Sequence, residues 1–354
     1  MRARYLIGAA SVAAAACGSA PPAAAPPAAS PPTAAPAPAS FSTTSFALPG
    51  GGAEGIAMDY LLYDPRTNAV WVPAGNTGAV DVIDVATGKL ARIEFPTQQV
   101  ERRGTKRTVG PSAAALGDLG TVYIGSRGDS SVCRVDERSL AKATCVQLDA
   151  SPDGIAYVAK TREVWVTTPR DHSIRVLDAA TLTQKARLPF DGNPEGFAAD
   201  NTRGRFYTNL EDKDVALAID LGSHATVATW KTACGEDGPH GLRLAEPEGI
   251  LLVACDDRVE SLDVAHDGAQ LGSIPTGAGV DDIDYAAADH RVYAGAAEAG
   301  RLTVAVLDPT GKLSPVASVT TAPGARNGVV TAAGQVYLSH SRASELLVVA
   351  PAAK

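Results

Sequence analysis

A short run of β-branched and aromatic residues recurs seven times along this chain of 354 residues, and it constrains the fold more than any other feature. The runs are Val70-Trp71-Val72, Val122-Tyr123-Ile124, Val164-Trp165-Val166, Phe206-Tyr207-Thr208, Leu251-Leu252-Val253, Val292-Tyr293-Ala294 and Val336-Tyr337-Leu338. Each leads through a polar turn into a second strand-like run, and six of these close on an aspartate: Asp84, Asp136, Asp178, Asp220, Asp263 and Asp308. A further turn and strand follow, as in Leu90–Phe95. Short runs of this composition, punctuated by Gly, Pro and Asp, are strand and hairpin signals. The aspartates sit where a side-chain oxygen can accept hydrogen bonds from turn N–H groups, which is a structural role.

Every unit opens on a second landmark. Glu54, Ser112, Asp153, Glu195, His240 and Asp281 are the second residues of the first six, and Asn327 stands in the seventh; successive members are 58, 41, 42, 45, 41 and 46 residues apart. Seven units of about 43 residues, each able to form four short antiparallel strands, predict an all-β fold: a seven-bladed β-propeller. One blade cannot bury both of its faces, so the core exists only once the ring closes. After Glu345–Ala350 no fourth strand follows, and Thr43–Leu48 is expected to supply it by joining the last blade.

The stretch Val164-Trp165-Val166-Thr167-Thr168 through Ser173–Asp178, a further strand, and Gly192-Asn193-Pro194-Glu195-Gly196 resembles the YVTN-repeat family of propellers, and Phe206-Tyr207-Thr208-Asn209 is a second near match. No Trp-Asp dipeptide occurs, which separates the chain from WD40 repeats. The resemblance spans about 54–351 and implies an extracytoplasmic seven-bladed propeller. It implies a fold far more than an activity.

The domain is expected to occupy 41–354, preceded by two segments of other character. Residues 1–16 read as a signal peptide, with Arg2 and Arg4 before a short apolar run. Ala14-Ala15-Ala16-Cys17 resembles a lipobox, making Cys17 the expected site of lipidation. The rest of 17–40 is a Pro/Ala-rich disordered tether: residues 18–40 hold 10 Ala, 8 Pro and no charge, and in a polyproline-like state could reach about 70 Å. The expectation is an exported monomer, lipid-anchored to a bacterial membrane and facing the periplasm or cell surface. With 39 acidic against 31 basic residues, a general nucleic-acid-binding role is not expected. Cys133 with Cys145, and Cys234 with Cys255, are expected to form disulfides, since the strand ends carrying them emerge together and the compartment is oxidising.

In a propeller the opening residues converge on one mouth of the central channel. Glu54, Asp153, Glu195, His240, Asp281 and Asn327 could hold Ca²⁺ or Mg²⁺ through oxygen, or Zn²⁺ with His240. Converging carboxylates repel unless a cation or a raised pKa relieves them. A merely hydrated acidic mouth is the other reading of the same residues. Arg170, His172, Arg258 and His340, on loops after second strands, suit an anionic or sugar-like ligand. The insertion Thr97–Val109 carries Arg102, Arg103, Lys106 and Arg107, and reads either as a solvated loop or as a dock for an acidic partner. No HExxH, CxxCH, GxSxG or P-loop pattern is present. The leading expectation is a binding or scaffold module for a protein, peptide or glycan. The alternative is a metal-dependent hydrolase or lyase, with Glu195 and His240 as its acid–base residues.

Overall fold

The computed structural model describes residues 40–102 and 104–352. The signal peptide, Cys17, the tether up to residue 39 and Arg103 lie outside the described residues. What is described is a ring of seven four-stranded antiparallel sheets plus one two-stranded hairpin. In blade three, for example, Ile155–Val158, Glu163–Thr168, Ser173–Asp178 and Gln184–Pro189 run from the axis outward. Innermost strands of neighbouring blades touch around the whole circle, blade seven against blade one included.

The apolar triplets lie on second strands, and the ring explains why they show no alternation. A second strand is covered on both faces by the adjacent blades, so Ala69–Ala74, Thr121–Ser126, Glu163–Thr168 and Ile250–Cys255 are buried throughout. The outermost strands meet solvent and carry polar residues, as in Lys142–Gln147. Seven clusters of buried side chains fill the seven gaps between blades. In one of them Trp71, Val80 and Val82 of blade one meet Val122, Ile124 and Val135 of blade two. Trp165 stacks on Phe206 between blades three and four, with ring centroids 4.4 Å apart.

The outermost strand of blade seven is Phe41–Ala47, paired with Glu345–Pro351 over seven positions, from Phe41 opposite Pro351 to Ala47 opposite Glu345. Blade seven therefore combines the first strand of the domain with its last three, Ala325–Val330, Val336–His340 and Glu345–Pro351. Both disulfides form. Cys133 faces Cys145 across neighbouring strands of blade two, and Cys234, after the last strand of blade four, reaches Cys255 on the second strand of blade five. The second bridge thus ties two blades together. The closing aspartates bond their turns, for example Thr87 N–H to Asp84 Oδ1 at 2.8 Å and Thr181 N–H to Asp178 Oδ1 at 2.9 Å.

The insertion after blade one is a hairpin and not a loop. Gln98–Arg102 pairs with Thr105–Val109, and Gly104 in its turn takes φ 76°. Two stability outcomes follow from this architecture. Deleting residues 41–47 should replace one cooperative unfolding transition with a broad, non-cooperative one in a thermal melt. Thiol titration of the native domain should find none of Cys133, Cys145, Cys234 and Cys255 reactive, and reduction should cost about 3 kcal/mol per bridge in denaturant midpoint analysis.

Candidate functional site

Where the innermost strands of blades two, four, five, six and seven begin, their pairing with the second strand slips. The register shifts between Pro111 and Ala113, Pro194 and Phe197, Pro239 and Leu242, and Val280 and Ile283. A bulge re-aims the side chain that it carries. Here it turns Glu195 and Asp281 toward the axis, whereas His240, at the same level of the blade between them, lies beside Glu211 and outside the cavity lining. Neighbouring strands come so close at this level that a side chain is excluded from the next position. A Cβ on Gly196 would lie 2.1 Å from the carbonyl oxygen of His240, and one on Gly241 equally near Asp282 Oδ1.

Pairing also identifies the ring members unambiguously. The residue before each one lies opposite the end of the second strand: Met58 opposite Ala74, Pro111 opposite Ser126, Pro194 opposite Leu210 and Ala325 opposite His340. The ring is therefore Asp59, Ser112, Asp153, Glu195, His240, Asp281 and Arg326. Two expected members are displaced. Glu54 lies in an exposed turn upstream, where Gly52 and Gly55 bridge, and blade one contributes Asp59 in its place. Asn327 stands one residue beyond the ring position at φ 44°, and its amide turns sideways: Nδ2 donates to Asp281 Oδ2 at 2.7 Å, and Oδ1 accepts from the Asp282 N–H at 3.2 Å. Arg326 takes the seventh place, 3.5 Å from Asp281.

The mouth is a cavity of about 710 Å³ lined by six carboxylates (Glu54, Asp59, Asp153, Glu195, Glu211, Asp281) and five cations (Lys106, Arg107, Arg127, Arg170, Arg326). Arg127, from the loop after the second strand of blade two, spans the first two ring acids: Nη2 donates to Asp59 Oδ2 at 2.6 Å and to Asp153. The repulsion expected of such a ring is thus relieved on one side by an internal guanidinium. On the other side burial shifts the carboxyls themselves upward. Burial, followed by the negative charges of Asp153, Asp59 and Glu211, holds the Glu195 carboxyl well above its ordinary value. Glu211 is also raised, chiefly by burial, although His240 Nδ1 stands 3.9 Å away and opposes the shift. Burial lifts Asp59 to about 7 against the opposing pull of Arg127.

Three donors close enough to grip a metal are not found in this ring. Among the described residues, the group of three whose ligand atoms lie within 4.8 Å of one another is Cys234, Cys255 and Glu260, and both cysteines are committed to their disulfide. The arrangement at the mouth fits a guanidinium-bridged ring better than a resident cation.

The loop residues divide. Arg170 lines the cavity. His172 is exposed at the left-handed residue closing the short helical turn Pro169–Asp171. Arg258 is held on the rim of blade five by Asp257, Glu260 and the carbonyl of Ala233, and His340 bonds Glu345 at 3.0 Å, so neither reaches the cavity lining. Sequence reasoning missed Asp59 as a ring member, and Arg127 and Glu211 were not among its candidate binding residues.

Tyr60, next to Asp59, separates this mouth from the opposite one. Its ring lies 5.3 Å from that of Phe197, and its hydroxyl donates to Glu195 Oε1 at 3.4 Å. Beyond the two rings a second cavity of about 410 Å³ is lined by Leu62, Tyr63, Leu116, Tyr157 and Leu244, with Arg243 and Asp284. Arg243 there makes a two-pronged contact with buried Asp282, at 3.1 and 3.0 Å. The two ends of the channel are thus chemically unlike, one charged and one mostly apolar.

No family model matches the chain, and no curated protein does. Solved structures do resemble it. Virginiamycin B lyase from Staphylococcus aureus superposes with a TM-score of 0.68 at 11% identity, covering 88% of this chain and 99% of that one. Hydrazine synthase of Kuenenia stuttgartiensis gives 0.69 at 13%, covering 85% and 96%. A chain of the mitotic checkpoint complex gives 0.67 at 13%, covering 88% and 94%. At such identities the likeness establishes the propeller fold and nothing more specific.

Two outcomes test the electrostatics of the mouth. A carboxyl whose pKa is higher in the folded state destabilises the fold once it ionises, so stability falls as pH rises from its unfolded to its folded value. For Asp59 that window runs from 3.8 to about 7. Asp59→Asn should therefore raise the melting temperature at pH 8 and flatten its decline between pH 5 and pH 8. Arg127→Ala leaves Asp59 and Asp153 without their shared cation and should cost about 2 kcal/mol at neutral pH, measured by denaturant unfolding.

Proposed function

We propose that this chain is a membrane-tethered, extracytoplasmic propeller that binds a protein, peptide or glycan at the mouth formed by its ring residues. The observation that carries the reading is the cavity itself. Its volume of about 710 Å³ lies within the range of roughly 300–1,000 Å³ usual for ligand sites. Its lining gathers charges that the fold does not need for its own core. A lone hydrated mouth would satisfy its acids by spreading them apart, whereas this one holds several in partly desolvated positions with raised pKa values.

The two disulfides support an oxidising compartment. The lipobox-like segment, the Pro/Ala spacer and the YVTN-like repeats support export and anchoring. Arg170 and the ring acids would take part in recognition. His172, Arg258 and His340 would act only on a ligand large enough to spread over the rim.

A second reading has one specific observation in its favour. The Glu195 carboxyl, raised well above its ordinary value chiefly by burial, lies within reach of the Tyr60 hydroxyl, and His240 Nδ1 stands 3.9 Å from Glu211, a carboxyl–imidazole pair. Such a pair can serve proton transfer, and virginiamycin B lyase has this fold. A thermal-shift screen of peptides and glycans separates the two readings. For a binder, ligands that stabilise the wild type should lose their effect in a Glu195→Ala, Asp281→Ala double variant and should be recovered chemically intact. Turnover of such a ligand, detected by mass spectrometry and abolished in His240→Ala, would establish the enzyme instead. Ligands that stabilise both proteins equally would place binding elsewhere.

A further inference from the structure

The charges around the mouth are sorted. The hairpin Gln98–Val109 stands between blades one and two and presents Lys106 and Arg107 to the cavity, with Arg127 of blade two beside it. Half a turn around a seven-membered ring from that junction lies blade five, flanked by blades four and six, and this side carries Glu195, Glu211, His240 and Asp281, of which Asp281 is engaged by Arg326 and Asn327. The cations of the first side are unequally engaged: Arg127 is already spent on Asp59 and Asp153. Among the described residues, no carboxylate lies within ion-pair distance of Lys106 or Arg107. On the far side, among the described residues, Glu195 accepts the long hydrogen bond of Tyr60 and Glu211 faces the imidazole of His240 at 3.9 Å. Among the described residues no ion pair joins Lys106 or Arg107 to Glu195 or Glu211, so each side keeps charge that the other could match.

We infer that the mouth takes a short zwitterionic peptide, its ammonium end seated between Glu195 and Glu211 and its carboxylate end against Lys106 and Arg107 of the hairpin. This rests on reading the mouth as a ligand site. A ligand with one charged end would satisfy one pole and leave the other exposed to water. A doubly charged one recovers both sets of charge-assisted hydrogen bonds, and a tripeptide spans about 10 Å when extended. Among the described residues the hairpin has no counterpart between any other two blades, so the seven-fold repeat does not require it. Its evident consequence is to bring two further cations, Lys106 and Arg107, to the cavity.

Triglycine, N-acetyl-triglycine and triglycine amide serve as probes, titrated by calorimetry or by NMR into the wild type, Glu195→Gln and a Lys106→Ala, Arg107→Ala double variant. Triglycine should bind saturably with a Kd near about 1 mM or tighter, and each capped form should bind at least about tenfold more weakly, the loss of one charge-assisted contact. Glu195→Gln should weaken triglycine but not the acetylated form, and the hairpin variant should weaken triglycine but not the amide. Equal binding of capped and free peptides, abolished by the variants, would overturn the zwitterion while leaving the mouth a binding site. Absence of saturable triglycine binding would overturn it too, and the wider reading would then stand or fall on the screen of larger ligands. Matching melting curves of the two variants and the wild type exclude misfolding as the cause.

Discussion

Everything in this molecule depends on seven residues of extended chain. Phe41–Ala47 pairs with Glu345–Pro351, and without that ladder blade seven would lack its outer strand and the ring its fastening. Each gap between blades is filled by side chains from two neighbours, so no blade has a core of its own. Closure converts seven marginal sheets into one cooperative body. The cost is geometric: a closed ring must point seven innermost strands at a single axis.

That convergence creates the site. At one end of the axis a bulge recurs in five of the seven blades where the innermost strand begins, and Gly196 and Gly241 let the strands approach closely enough for the ring to form. The sequence places acids at four of these positions, which in isolation would repel. Arg127 settles two of them, Arg326 and Asn327 engage Asp281, and burial holds the Glu195 carboxyl well above its ordinary value. At the opposite end the same strands turn leucine, tyrosine and a fully paired Arg243 inward. One scaffold thus carries two unlike mouths, divided by Tyr60 and Phe197.

Much of this was legible in the residues. The triplets announced strands, and their period announced the blade count. The odd polar landmark in each unit pointed to the mouth, while Cys234 and Cys255 could be paired because strand ends of adjacent blades meet. What escaped was local register. Blade one seemed to open at Glu54, giving a first spacing of 58 against 41 to 46 elsewhere. Asp59 to Ser112 is 53 residues, and the hairpin Gln98–Val109 accounts for 12 of them, leaving a normal repeat. The surplus was the available signal. Asn327 was misplaced for a related reason: a bulge shifts the inward position by one residue, and only backbone pairing reveals it. The partnership of Arg127 with two ring acids joins three blades, and no periodicity within a single repeat encodes that.

The central claim is that the mouth holds charges that the empty fold satisfies only in part. Carboxyl titration by NMR, with the side chains of Asp59 and Glu195 assigned by substitution, tests it directly. Asp59 should titrate near pH 7 and Glu195 well above the usual glutamate range, the two standing apart from the turn acids, which titrate low. Midpoints for both in the ordinary range of about 4 would show a hydrated, unstrained rim and contradict the account.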